Sequence, residues 1–161
     1  SRFGKGSHGA VLIPMNASDF FSPDDKEQII LAIREAETNT SGEIRLHVEL
    51  SFTGDLLDRA ATVFARLGMH KTKDRNGVLF YLAIEKKQFA ILGDAGINQR
   101  VPPNFWDDIK ASMLDFFAKG AFGAGLSTGI RMAGEQLKKH FPHQTDDMDE
   151  LSNEISFGQE T

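Results

Sequence analysis

Residues 78 to 84 read Val-Leu-Phe-Tyr-Leu-Ala-Ile with no polar interruption. The run is too short for a buried helix and does not alternate. It predicts a central strand covered on both faces. Asn76-Gly77 precedes it as a turn signal, and Glu85-Lys86-Lys87-Gln88 follows as a loop short enough for a hairpin. Phe89 to Leu92 then returns as an antiparallel neighbour and leads into Gly93-Asp94-Ala95-Gly96-Ile97-Asn98.

The rest of the chain supplies partners and cover. Ser22-Pro23-Asp24-Asp25 is a helix start: a capping hydroxyl, a proline for the first turn and two acids for the positive end of the dipole. Ile29, Ile30, Ile33 and Ala36 continue it to about residue 38. Glu43 to Leu50 alternates strictly, with Ile44, Leu46, Val48 and Leu50 on the buried face. Glu43, Arg45, His47 and Glu49 are left for the polar face. Leu56, Leu57, Ala60, Val63, Phe64 and Leu67 mark a second helix, capped at Gly68. A third helix is expected from Asn104, with Ile109, Met113 and Phe116 or Phe117 inward. Gly120 to Gly125 breaks it, and a fourth, carrying Leu126, Ile130, Ala133 and Leu137, stops at Pro142. Strands interleaved with helices predict a layered α/β domain with helices on both faces.

Residues 1–14 read as an expression leader, 15–143 as one domain and 144–161 as an acidic polar tail lying over the surface or fraying. The formal net charge of −5 disfavours nonspecific nucleic-acid binding, which depends on basic surface. The absence of cysteine excludes disulfides, thiolate metal sites and cysteine nucleophiles. No apolar run approaches the ~20 residues that span a bilayer, so a cytoplasmic domain without a membrane segment is expected.

Asp94 follows a strand between two glycines. With Asn98 and backbone carbonyls it offers oxygen ligands of the kind that suit Ca²⁺ or Mg²⁺. Asp107 and Asp55 could join it if the loops converge, although each also suits a helix start. Lys71, Lys73 and Arg75 form a basic loop able to offset the charge of an anion such as phosphate. The glycines from Gly123 to Gly129 do not follow a strand and lack a phosphate-loop lysine. Their expected role is close helix packing. His47 has no serine in a nucleophile-elbow motif to activate.

The motifs Thr40-Ser41-Gly42-Glu43-Ile44-Arg45, Arg75-Asn76-Gly77-Val78-Leu79 and Gly93-Asp94-Ala95-Gly96-Ile97-Asn98, in this order, resemble the TPM domain family. Asn104-Phe105-Trp106-Asp107 is similar to its compact bacterial subgroup. The resemblance implies a three-layer α/β/α sandwich around a small mixed β-sheet. It also implies a divalent cation, calcium first, near the strand-end loops. Three functions stand open: a cation-binding domain with a non-catalytic or weakly catalytic role in protein maintenance or complex assembly, a metal-assisted acid phosphatase acting on phosphomonoesters, or a metal-free protein-interaction module.

Overall fold

The computed structural model describes residues 16–143 and 155–158. The leader reading falls outside them, as does most of the tail. After a short 3-10 turn at Ala17–Phe20 come α1 (Pro23–Asn39), β1 (Glu43–Glu49), α2 (Leu56–Arg66), β2 (Gly77–Ala83), β3 (Gln88–Gly93), α3 (Ala95–Asn98), α4 (Asp107–Ala118), α5 (Phe122–Leu137) and β4 (Ser156–Phe157). The sheet order is β3-β2-β1-β4. β1 and β2 are parallel, β2 and β3 antiparallel, and β4 is parallel to β1. The sheet is therefore mixed, with the apolar strand β2 inside it, buried at every position.

Two cores hold the layers together. On one face, Ile44, Leu46, Val48, Phe80 and Leu82 meet Ile29 and Ile33 of α1, Met113 and Phe117 of α4, and Ile130 and Leu137 of α5. On the other, Leu79, Tyr81, Ala83 and Ala90 meet Ala60, Val63 and Phe64 of α2. Helices thus lie on both faces, α1, α4 and α5 with the short α3 on one and α2 on the other. The packing is an α/β/α sandwich.

Local signals explain the boundaries. Ser22 Oγ accepts from the Asp25 amide at 3.1 Å and opens α1, with Pro23 in its first turn. Gly68, at φ +69, ends the turn after α2. The chain breaks between α4 and α5 at Gly120, φ +76, and α5 starts at Phe122, earlier than its apolar spacing suggests. Gly125, Gly129 and Gly134 are inside α5 because neighbouring helices leave no room for a side chain there. A Cβ would lie 2.8 Å from Phe117, 2.5 Å from Met113 and 2.7 Å from Ala36 respectively.

Three expectations need correction. The charged face of β1 is not a solvent face: Glu43, His47 and Glu49 are buried. Asn104 does not start a helix; it lies in a turn, its carbonyl accepting from the Asp107 amide, and α4 begins at Asp107. The tail is not merely surface polar chain, because Ser156 and Phe157 pair with His47 and Val48. No helix among the described residues is long and apolar enough to cross a membrane.

Candidate functional site

The register divides the proposed ligands between the two ends of the sheet. Glu43 aligns with Gly77, and Val78 with Gly93, so Asp94 emerges where β1 and β2 begin. Asp55 follows β1 beyond its other end. Seven strand residues separate these ends, a span of about 20 Å. Asp55 and Asp94 cannot share one ion. Asp55 instead caps α2: its Oδ2 accepts from the Leu57 and Asp58 amides at 3.0 and 3.1 Å.

At the first end, Asp94 is 6% exposed and caps the short α3, accepting from the Ala95 amide at 2.7 Å. Its two oxygens also accept from Arg75 Nε at 2.8 Å and Arg75 Nη2 at 2.9 Å. This bidentate pair, together with the charge of Asp94, raises the guanidinium of Arg75 above its ordinary value, hydrogen bonding being the larger cause. Backbone bonds close the contact: the Gly96 amide donates to Arg75 O and the Asp94 amide to Gly77 O, both at 2.9 Å. Gly96 must be glycine, since a Cβ would run into the carbonyls of Asp74 and Arg75. Arg75 itself sits at φ 51, a left-handed conformation unusual for a side chain of its size.

The remaining candidates do not gather around Asp94. Asn98 Nδ2 donates to Gly93 O at 3.2 Å, tying the side chain back to the strand end. Asp107 is exposed in the first turn of α4. Lys71 and Lys73 are exposed, and the third member of the basic loop, Arg75, holds a carboxylate of its own chain. Among the described residues no group of three or more His, Asp or Glu is placed to hold a metal ion. The donor set therefore does not fit a divalent cation as it stands: Ca²⁺ takes 6–8 oxygens, and both oxygens of Asp94 face a guanidinium.

The second end holds a denser cluster that the sequence did not reveal. Glu49, the last residue of β1, is 5% exposed. It accepts from Arg59 of α2 at 2.7 Å (Nε) and 2.8 Å (Nη2), and from the Tyr81 hydroxyl of β2. His47 Nε2 lies 3.3 Å from Glu49 Oε1. Burial pushes the Glu49 carboxyl up, but hydrogen bonds from Arg59, His47 and Tyr81, with the charge of Arg59, overcome it and hold the group well below the carboxylate range. Tyr81 is raised, first by burial and then by its bond to Glu49, against the opposing pull of Arg59, so its hydroxyl stays a donor. The His47 ring stacks on Tyr81 with centroids 6.1 Å apart. Beside the cluster lies a cavity of about 620 Å³, lined in part by His47, Glu49, Ser51, Arg59, Arg66 and Phe157. It opens past the carboxyl end of β1, where ligand sites of open α/β sheets collect.

The comparisons agree with this architecture. The family model of the TPM domain matches residues 15–136. The BA42 protein of the psychrophilic bacterium Bizionia argentinensis, solved by NMR, is 48% identical with a TM-score of 0.83, covering 86% of this chain and 96% of that one. The N-terminal domain of a P. gingivalis protein is 19% identical (TM-score 0.63), covering 77% of this chain and 82% of its own. That of the Corynebacterium glutamicum protein cg2496 is 14% identical (TM-score 0.58), covering 99% and 94%. These last two show likeness of fold alone. No curated protein matches. With the motifs, the sandwich and a family match over most of its length, the chain belongs to the TPM domain family.

Proposed function

We propose that this TPM domain is a binding module in protein maintenance or complex assembly, and that it presents its loop end without needing a metal ion. The observation supporting this is the Arg75–Asp94 pair. A cation already sits on the carboxylate best placed to be a ligand, and it belongs to the chain itself. The loop Thr72–Asn76 and the turn Asp94–Asn98 are thereby fixed against each other, as a recognition surface requires.

One observation favours a second reading. Asn76 is 1% exposed, neighbours this contact, and its Oδ1 has no hydrogen-bond partner among the described residues. That unpaired oxygen, on a side chain whose amide nitrogen donates to Ser41 Oγ at 3.3 Å, is a ligand atom that Ca²⁺ or Mg²⁺ could use if Arg75 swung into solvent and the loop re-formed around Asp94. The Arg75 side chain is already 52% exposed.

A calcium titration followed by amide NMR, repeated with magnesium, decides between the two. The first reading expects no saturable shift from Asp94 to Asn98 at millimolar ion. Saturable shifts there that tighten in Arg75→Gln, where the competing cation is gone, would replace it with the second.

A further inference from the structure

The cluster at the carboxyl end of β1 is joined by the chain's own C-terminal strand, β4. Ser156 sits opposite His47 in the parallel register. Its Oγ is 2.8 Å from His47 Nδ1 and 3.2 Å from the carbonyl oxygen of Leu46. The Gly158 amide donates to Val48 O at 2.7 Å. Gly158 fits there only because it lacks a side chain: a Cβ would fall 2.5 Å from Glu49 Cβ. Phe157 turns its ring to Lys26 of α1, 5.5 Å away, and with Gly158 lines the cavity.

Counting protons around His47 gives a condition on this arrangement. Ser156 has one hydroxyl hydrogen and two possible acceptors, His47 Nδ1 and Leu46 O. If it donates to Leu46, the Nδ1 must donate to Ser156. The Glu49 carboxylate, held ionised by Arg59, accepts from His47 Nε2. All three contacts are satisfied together only when both ring nitrogens carry hydrogen, that is, by the imidazolium. A neutral ring forfeits one of them.

We propose that His47 is a proton-operated latch for β4: the charged imidazole completes the hydrogen bonds that hold the strand over the cavity, and the neutral ring releases one of them. The charged and titratable groups facing it set the size of the effect. Among the described residues Glu49 on β1 is the one acid paired with it, and α2 has already neutralised that acid through Arg59. Tyr81 on β2 is neutral, kept so by burial and by Glu49. Arg45 shares the same face of β1, and Arg66 and Glu85 line the cavity with opposite signs. β4 contributes no charge, only the Ser156 hydroxyl. The expected response is graded, on the scale of one hydrogen bond. The sequence of Ser156, His47 and Glu49 also resembles an acyl-transfer triad. Yet Glu49 is already held by Arg59 and Tyr81, and the serine proton has the Leu46 carbonyl as a competing target, which suits strand retention rather than nucleophilic attack.

The test is hydrogen exchange of the Gly158 amide in the full chain, read as protection factors so that intrinsic exchange is removed. The range runs from about pH 5 to about pH 8, where imidazole changes charge. Protection is expected to fall about five-fold toward the upper pH, the equilibrium factor of one ordinary hydrogen bond. In His47→Gln, which cannot change charge, the pH dependence should vanish. In Ser156→Ala it should shrink, while amide spectra report that the β1–β2 core is intact. PH-independent protection in the wild type, or an unchanged dependence in His47→Gln, would overturn the latch.

Discussion

Two arginine–carboxylate pairs of nearly equal geometry sit at opposite ends of one sheet. Arg59–Glu49 and Arg75–Asp94 are both bidentate, with Nε contacts of 2.7 and 2.8 Å, and in both the acid is almost fully buried. What differs is the rest of the surroundings. Glu49 also takes Tyr81 and faces His47, and Arg59 is 25% exposed; Asp94 adds only a local amide, and Arg75 is 52% exposed on a left-handed backbone. Distance alone does not distinguish a permanent structural centre from a contact that can open. The number of remaining donors and the solvation of the arginine do.

The largest expected effect is at Glu49. Glu49→Ala leaves Arg59 beside an emptied, partly buried site and Tyr81 without its acceptor. A loss of about 3 kcal/mol follows, on the order of 10 °C in Tm. The pH dependence has a definite sign. Because the folded state holds this carboxyl below its ordinary value, its stabilisation is complete above about pH 4.3 and is lost as pH falls toward the depressed value. Urea midpoints in acid should therefore decline less steeply in Glu49→Gln than in the wild type. Parallel acid limbs would mean that the buried carboxylate contributes nothing specific.

The Arg75 end should respond less, in two separable parts. Arg75→Ala removes the partner of a buried carboxylate, but the guanidinium it deletes was half in water, so a smaller drop in the urea midpoint than for Glu49→Ala is expected. Arg75→Gly removes the same partner and also relieves the φ 51 backbone, recovering about 1 kcal/mol relative to alanine. Equal midpoints for the two variants would show that the left-handed turn carries no cost and that the contact is less strained than its backbone implies.

How much of this was legible in the sequence follows from which signals are local. Ser22 and Pro23 foretell α1, the unbroken apolar run foretells β2, and the family motifs foretell the sandwich. Each depends on neighbours within a turn or a strand. Arg75 and Asp94 each stood out, but as an anion contact and a cation ligand; nothing local says that they neutralise each other 19 positions apart. The alternation of β1 puts Glu49 on the polar face of a strand with one buried face. The counter-signal was nevertheless present. β2 reads as covered on both faces, so a strand paired to it has its second face beside covered surface, and charges there need partners. Ser156 carried no signal, since a two-residue strand has no periodicity.

The smallest effect sharpens the comparison most cheaply. Arg131 and Glu35 join α5 to α1 at 2.6 Å, shorter than either buried pair, with side chains 46% and 64% exposed. If distance governed, this pair would couple as strongly as the others. Solvent instead screens both charges, and holding two long side chains in register costs entropy. A double-mutant cycle with Arg131→Ala and Glu35→Ala is expected to give at most about 0.5 kcal/mol, falling further in salt. The three coupling energies should then rank Glu49–Arg59, Asp94–Arg75, Glu35–Arg131, following exposure and not length. A coupling at Glu35–Arg131 equal to that at Asp94–Arg75 would break the ranking. Arg75 would then be as easily detached as a surface arginine, and the loop end could no longer be treated as held by its own cation.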